Sequence, residues 1–254
     1  MTLSVATPLL VTFLLASIRA AAWLVVAPPF ATKVVPATVK GLLSIALALP
    51  VSSRLTPPVL NDSVGQLVGL VIVQVVVGAA LGFLTMLAFA AIEAAGNLID
   101  VFGGFTLSNS FDPLSMSQNS VFGRLHQMLA VALLFTLNLH IVVLQGFLHS
   151  FDAIPLDTGV SMASLSQLAT QGLTTMVAAA AQIAGPLIGV LFLADVGLAL
   201  MTRVAPSMNV FSLGFPIKML ITLSLVGLTF PELGRVLGNL IDLSTHATLA
   251  LGSG

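Results

Sequence analysis

Val64–Ile92, with the sequence VGQLVGLVIVQVVVGAALGFLTMLAFAAI, contains no charged side chain. About 20 predominantly apolar residues cross the roughly 30 Å of hydrocarbon in a bilayer, so this stretch is long enough to span it with tilt or overhang. A helix satisfies its own backbone hydrogen bonds in that environment. The stretch therefore predicts a membrane-spanning helix, and the rest of the chain follows the same pattern.

Further apolar stretches flank it on both sides. They lie near Leu9–Ala27, Val39–Val51, Leu125–Phe151, Leu173–Met201 and Pro216–Phe230, and an amphipathic stretch, Pro231–Leu251, follows the last of them. The first stops at Pro28-Pro29, which a helix does not easily continue through, and the fifth contains Gly185-Pro186, which predicts a kink. We predict an all-α, polytopic membrane-type protein with about six hydrophobic helices, some kinked or broken, in a single domain over residues 1–254.

The composition excludes several classes of function. Hydrophobic residues make up 57% of the chain and charged residues 7%, and the mean hydropathy is +1.12, which is outside the range of soluble domains. With 8 Lys and Arg against 9 Asp and Glu, no basic surface is available for nucleic acid. The chain has no cysteine for a disulfide or thiolate site, and no metalloprotease, nucleophile-elbow, Walker or dinucleotide motif. We therefore expect no enzyme, cofactor or metal.

Glycines recur four residues apart, a spacing that puts small residues on one helix face and lets helix backbones approach. The pairs are Gly65/Gly69, Gly78/Gly82, Gly185/Gly189 and Gly234/Gly238. A chain with 21 glycines also produces such pairs by chance, but their repetition favours tight helix packing.

Ionisable residues inside or at the ends of the apolar stretches are candidates for function, because a charge in hydrocarbon needs a partner or water. They are Arg19, Glu93, Asp100, Asp195, Arg203 and Lys218. Glu93, Gly96 and Asp100 fall at i, i+3 and i+7, so both carboxylates could face the same cavity or basic partner from one helix stripe. The alternative is that these are interfacial charges or structural ion pairs, and it applies most to Arg203 and Glu93.

The segment after the third apolar stretch is polar and rich in Gly, Ser and Asn from Ala94 to Arg124. Gly103-Gly104, Asp112-Pro113 and Gln118-Asn119 are turn and breaker signals within it. Irregular backbone cannot face lipid, so at membrane depth it must line water or protein. Residues 103–124, called the polar segment below, are thus either a solvent loop or a re-entrant plug, and composition alone favours the loop.

Arg203–Lys218, RVAPSMNVFSLGFPIK, resembles the signature of the FliR family of flagellar export-gate proteins, whose injectisome counterparts are the SctT proteins. The matching positions are Arg203, Pro206, Asn209, Phe211, Gly214, Pro216 and Lys218. Ser207 departs from the family, which favours Gln there, and this affects only that local contact. Similar stretches elsewhere are Arg19 followed by Pro29-Phe30, Pro36 and Lys40, then Glu93-Ala-Ala-Gly96-Asn-Leu-Ile99-Asp100, and Phe111-Asp112-Pro113. The resemblance covers nearly the whole chain.

The resemblance implies a function that composition does not show. FliR-like proteins assemble with FliP-like and FliQ-like subunits into a helical gate for unfolded flagellar subunits, and they associate with an FlhB-like protein. This implies a non-enzymatic, multi-pass subunit of the flagellar basal body in the bacterial inner membrane, in contact with membrane lipid and with exported flagellar proteins in transit. An injectisome export gate is the alternative within the family. A small-solute secondary transporter is the alternative outside it, and it would need paired broken helices in two halves.

In the family the polar segment plugs the closed pore, which reverses the preference for a solvent loop. The implied plug residues are Phe105, Ser108, Asn109, Asp112, Pro113, Ser115, Met116 and Gln118. The implied assembly residues are Arg19, Pro29, Phe30, Glu93, Gly96, Asp100 and the signature positions given above. Gly103-Gly104 would supply a hinge, and short Ser and Asn side chains would supply hydrogen bonds without bulk.

Overall fold

Helices dominate the residues that the computed structural model describes, which are 3–58, 64–106, 120–158, 161–205 and 210–251. The helices are α1 (Leu3–Val26), α2 (Ala37–Ser52), α3 (Val64–Gly103), α4 (Val121–Thr136), α5 (Leu139–Ala153), α6 (Met162–Val204), α7 (Val210–Leu225) and α8 (Phe230–Leu251), with a 3-10 turn at Val226–Thr229. No strand occurs in these ranges, and the all-α prediction is confirmed.

Several helices are long and apolar enough to cross a membrane. Among the described residues these stretches are Pro8–Val26, Val64–Gly103, Met162–Val204 and Leu213–His246. α4 and α5 together form a further candidate as a bent pair, whereas the apolar helix α2 is shorter. The predicted class, a polytopic helical membrane protein, is therefore confirmed.

One predicted helix is broken. We predicted one helix near Leu125–Phe151, but α4 ends at Thr136 and α5 begins at Leu139. Asn138 between them adopts the left-handed conformation with φ 56°, which Asn tolerates better than most residues. Broken helices were predicted for this chain, but the position of this break was not, because an apolar stretch reports composition and not the conformation of a single residue.

Other boundaries bear on the predicted residues. α1 ends at Val26, just before Pro28-Pro29, as predicted. α3 continues beyond Ile92 to Gly103, so Glu93, Gly96 and Asp100 all lie on a helix. α6 remains helical on both sides of Pro186.

The chain forms two compact units. The first comprises Met1–Leu87, Asn138–Leu173 and Leu240–Gly254, and the second comprises Ala88–Leu137 and Thr174–Asn239. In the first unit, Trp23 is buried and stacks on Phe147, with 4.6 Å between the ring centroids. The largest fully buried apolar side chains of the second unit are Ile92, Ile99, Leu134, Ile183, Leu191, Leu233 and Leu237. A single domain over residues 1–254 stays a prediction.

One glycine pair of α3 packs against the backbone of α1 in the first unit. A Cβ atom at Gly78 would collide with the carbonyl oxygen of Arg19, and one at Gly82 would lie 2.8 Å from the Cβ of Val26. No described atom lies within 4 Å of such a Cβ at Gly69, on the same helix. Close packing within this chain therefore uses the Gly78/Gly82 pair, and the four-residue spacing alone does not identify it.

Candidate functional site

The base of the polar segment is built around Asp100, near the end of α3. Its side chain is 1% exposed. Ser120 donates a hydrogen bond from Oγ to the carboxylate, and the Phe122 N–H donates to the same group with an N···O distance of 3.1 Å. Ser120 is also the N-cap of α4, where its Oγ accepts from the Gly123 N–H at 2.8 Å. Asp100 thus binds the positive end of the α4 dipole, which is a favourable place for a carboxylate.

The polar segment begins beside the same residue. The Phe105 N–H donates to the backbone carbonyl of Asp100 at 3.0 Å. Gly104 has φ 84°, a left-handed conformation that glycine adopts without strain. The rings of Phe105 and Phe122 pack edge to face with 5.1 Å between centroids. The two flanks of the polar segment therefore meet at Asp100.

Gly96 allows α3 and α4 to approach this closely. A Cβ atom there would collide with the carbonyl group of Phe122 and would lie 2.6 Å from the Gly123 nitrogen. Gly96 and Asp100 therefore face the start of α4, while Glu93 on the predicted stripe is half-buried. Two of the three residues on the predicted stripe, Gly96 and Asp100, therefore make contacts within the chain.

The signature helix α7 supports the start of the polar segment. A Cβ atom at Gly103 would lie 2.7 Å from the Thr222 Oγ1, and one at Gly104 would lie 3.2 Å from the Phe215 ring. Thr222 is buried and donates from Oγ1 to the carbonyl of Lys218 at 2.8 Å. The start of the polar segment and the signature helix α7 thus pack together at the base of the polar segment.

Lys218 itself forms an ion pair that joins α7 to α6. Its Nζ lies 2.9 Å from Asp195 Oδ2, and the two side chains are 14% and 48% exposed. Lys218 and Asp195 are therefore partners within the chain. This arrangement corresponds to the alternative of a structural ion pair.

Replacing Lys218 by alanine is expected to lower the free energy of unfolding by about 0.5–1 kcal/mol, since Asp195 is half exposed and the pair is screened by solvent. The measurement is denaturant unfolding of the purified chain in detergent, in a double-mutant cycle with Asp195→Ala. Lys33→Ala, at an exposed lysine, is the control. If the losses of the two single variants simply add in the double variant, the pair contributes no coupling.

The remaining predicted residues fall in different places. Ser108, Asn109, Asp112, Pro113, Ser115, Met116 and Gln118 of the plug, and Pro206 and Asn209 of the signature, lie outside the described residues. Arg203 is exposed in the last turn of α6. Phe211, Gly214 and Pro216 lie on α7, where a Cβ at Gly214 would be 3.4 Å from a Leu198 methyl.

Arg19 is fully buried in the first unit and binds three groups. It donates from Nε to Gln74 Oε1 at 2.7 Å, and from its two terminal nitrogens to the carbonyls of Ser150 at 3.1 Å and Ile154 at 2.9 Å. Its guanidinium carbon lies 4.4 Å from the Phe151 ring centroid. Gln74 lies on α3, whereas Ser150 and Ile154 are in the last turn and at the C-cap of α5, where a helix dipole favours a cation. No carboxylate of the described residues forms a salt bridge with Arg19.

Pro29 and Phe30 lie in the turn after α1, where the Phe30 ring is 6.0 Å from Trp23. Sequence reasoning missed Gln74, whose Nε2 donates to the Leu156 carbonyl at 2.9 Å. A polar side chain within the apolar stretch Val64–Ile92 was the available signal, because a buried amide needs partners. Ser120, directly before an apolar helix, was a comparable signal for an N-cap.

Within the described ranges, no group of three or more His, Asp or Glu side chains is arranged to hold a metal ion. The chemistry of the base is therefore that of hydrogen bonds, helix dipoles and one ion pair. Such groups position helices and backbone.

Known proteins match this chain over most of its length. The family model described as bacterial export proteins, family 1, matches residues 10–244. The flagellar biosynthetic protein FliR of Bacillus subtilis (strain 168) is 27% identical over 235 residues, which cover 91% of each chain. That of Escherichia coli (strain K12) is 29% identical over 219 residues, or 84% of this chain and 82% of the relative. The Yop proteins translocation protein T of Yersinia pestis is 32% identical over 148 residues, or 57% of this chain and 56% of the relative.

Proposed function

The chain belongs to the bacterial export proteins, family 1, and from this membership we propose that it is a non-enzymatic subunit of the flagellar type III protein export gate. The observation that carries the proposal is the family match over residues 10–244, which covers most of the first unit and all of the second. The resemblance to the FliR and SctT proteins is confirmed by the same match and by relatives of both kinds.

A flagellar gate is favoured over an injectisome gate by coverage. The flagellar relatives from Bacillus subtilis and Escherichia coli match 91% and 84% of this chain, whereas the Yersinia pestis translocation protein matches 57%. The chain is therefore a membrane protein of the flagellar export apparatus in our proposal, and we place it in the bacterial inner membrane.

The partners in this proposal are FliP-like, FliQ-like and FlhB-like proteins, together with flagellar proteins in transit. Helix length supports protein partners. α3 has 40 residues and α6 has 43, so each is about 60 Å long at 1.5 Å per residue, twice the thickness of the hydrocarbon. Apolar side chains such as Phe192 and Leu193 remain exposed on α6. A bilayer alone is too thin to cover helices of this length if they stand upright, and neighbouring subunits would cover the rest.

The polar segment is the plug of the closed gate in this proposal. Its base supports that role, because α3, α4 and α7 hold its two flanks through Asp100, Gly96 and Gly103. A segment with fixed flanks can be displaced by a passing chain and return to the same place. The glycines at its start provide the backbone freedom that such a displacement needs.

Single cysteines at Asn109 and Ser115 test the plug in a chain that has no cysteine of its own. We expect each of them to form a cross-link with an export substrate stalled in transit, because a plug residue lines the path of the substrate. The measurement is the shift of the chain on a gel under oxidising conditions, with or without a stalled substrate into which a cysteine has been introduced as the second thiol of the disulfide. Thr158→Cys, at an exposed position before α6, is the matched control. Normal export without a cross-link at Asn109 or Ser115 would contradict the plug.

A further inference from the structure

Asp100 binds the polar segment on both sides. Its backbone carbonyl accepts from the Phe105 N–H, and its carboxylate accepts from Ser120 Oγ and from the Phe122 N–H. Phe105 directly follows the left-handed Gly104, and Phe122 lies in the first turn of α4. One residue therefore determines both where the chain leaves α3 and where it enters α4.

Asp100 forms no salt bridge among the described residues, although the buried ring of His126 interacts with its carboxylate electrostatically. The carboxylate is almost completely buried. Its hydrogen-bond partners are a hydroxyl and a backbone N–H at the positive end of α4, which together can satisfy a buried carboxylate. A neutral, apolar side chain at this position would leave the Phe122 N–H without its acceptor, and buried donors without partners are costly.

The surroundings of Asp100 leave little room for another arrangement. Gly96, one turn earlier on α3, is in direct contact with the backbone of α4, and Gly103 is in contact with Thr222 of α7. Neither helix can move closer to compensate for a lost carboxylate. The geometry at this base therefore depends on the Asp100 side chain.

We propose that Asp100 is the positioning residue that clamps the two flanks of the polar segment together, and so determines where the proposed plug sits. The predicted contacts of Asp100 with partner subunits stay a prediction, and the contacts that the structure shows lie within the chain. The consequence for the gate rests on the proposed function. The clamp itself does not rest on the proposed function, because Asp100 contacts Phe105, Ser120 and Phe122, which are all described residues of this chain.

The clamp is tested first without reference to export. Phe105→Cys and Phe122→Cys, whose native rings are 5.1 Å apart, are joined by a short bifunctional thiol reagent in the assembled export complex. These changes keep both backbone N–H groups and the Asp100 carboxylate. Adding Asp100→Ala is expected to slow the cross-link by at least roughly tenfold, because it removes two charge-assisted hydrogen bonds and the loss of one corresponds to about tenfold. Ser120→Ala, which is milder, is expected to slow it by a smaller factor.

Asp242→Ala is the matched control, because this carboxylate is exposed on α8. It is expected to leave the cross-linking rate unchanged. The second measurement is the leakage of ions through the complex in cells in which no substrate is being exported. Asp100→Ala and Ser120→Ala are expected to raise this leakage several-fold over the level of Asp242→Ala, because the plug loses its fixed position.

The two measurements separate the clamp from the plug. A slower cross-link together with a leak supports both. A slower cross-link without a leak supports the clamp and contradicts the plug. If Asp100→Ala and Ser120→Ala both cross-link at the rate of Asp242→Ala in folded, assembled complexes, the clamp is wrong, whatever the leakage shows.

Discussion

Replacing Arg19 by methionine is expected to destabilise the chain by about 3–5 kcal/mol, because several buried neutral acceptors lose their donor and each unsatisfied group costs about 1–3 kcal/mol. Methionine fills much of the same volume, but it leaves the Gln74 side-chain oxygen and the Ile154 carbonyl without the donors that bind them. The C-terminal end of α5 also loses the cation that balances its dipole. Since typical domains are stable by only about 5–15 kcal/mol, a loss of this size should reduce the amount of folded chain in membranes.

The measurement for Arg19→Met is thermal unfolding of the purified chain in detergent, together with its level in membranes. Arg54→Met is the control, because Arg54 is exposed after α2. Arg19→Lys is expected to be intermediate, since an ammonium keeps the charge but cannot reproduce the fork of the guanidinium. Equal unfolding temperatures for Arg19→Met and Arg54→Met would show that the network contributes little.

Replacing Gly96 by alanine is expected to cost about 1–3 kcal/mol, the range for overpacking a filled core. The added methyl would collide with the Phe122 carbonyl group, which is backbone and cannot rotate away as a side chain can. We expect the start of α4 to move away from α3, and the hydrogen bonds between Asp100 and Phe122 to lengthen. The same variant should therefore slow the cross-link between cysteines at positions 105 and 122.

Gly69→Ala on the same helix is the matched control for Gly96→Ala. Nothing described lies within 4 Å of the added Cβ at Gly69, so the change should raise helix propensity and stabilise the chain by up to about 1 kcal/mol. The two substitutions are chemically identical and lie on one helix, yet their predicted effects have opposite signs. Destabilisation of similar size at both positions would mean that the close approach of α3 and α4 is not what Gly96 permits.

The candidate site was only partly predictable from the sequence. The stripe formed by Gly96 and Asp100 was recognised from helical spacing, and both residues do face one surface. Their partners Ser120 and Phe122 at the start of α4 were not recognised, because the periodic pattern within each helix carries no information on how α3 and α4 pack against each other. Lys218 and Asp195 were both recognised as charges in apolar stretches, but neither the pattern of charges nor the family signature indicates that the two residues pair with each other.

For the charges in the apolar stretches as well, the sequence predicted that a partner is needed but not which residues supply it. Arg19 was identified as a costly buried cation, and the physical expectation of a partner was sound. Its partners Gln74, Ser150 and Ile154 are far along the chain and carry no formal charge. A search for opposite charges in the sequence could not find them, since helix carbonyls and amides accept hydrogen bonds at every position and differ only in where the fold places them.

The sequence by itself determined that this chain is a polytopic helical membrane protein and which family it resembles. Both follow from local properties, since the length of an apolar stretch such as Val64–Ile92 sets whether a helix can span a bilayer, and a signature such as Arg203–Lys218 is a pattern along the chain. The tertiary structure alone decided that the helix expected near Leu125–Phe151 breaks at Asn138, that Gly96 and not Gly69 is packed against backbone, and that Asp100 binds both flanks of the polar segment. The break is a backbone conformation, and the other two features are distances between atoms of separate helices. Hydrophobicity and residue spacing along the sequence determine neither of these, because both depend on how the helices pack.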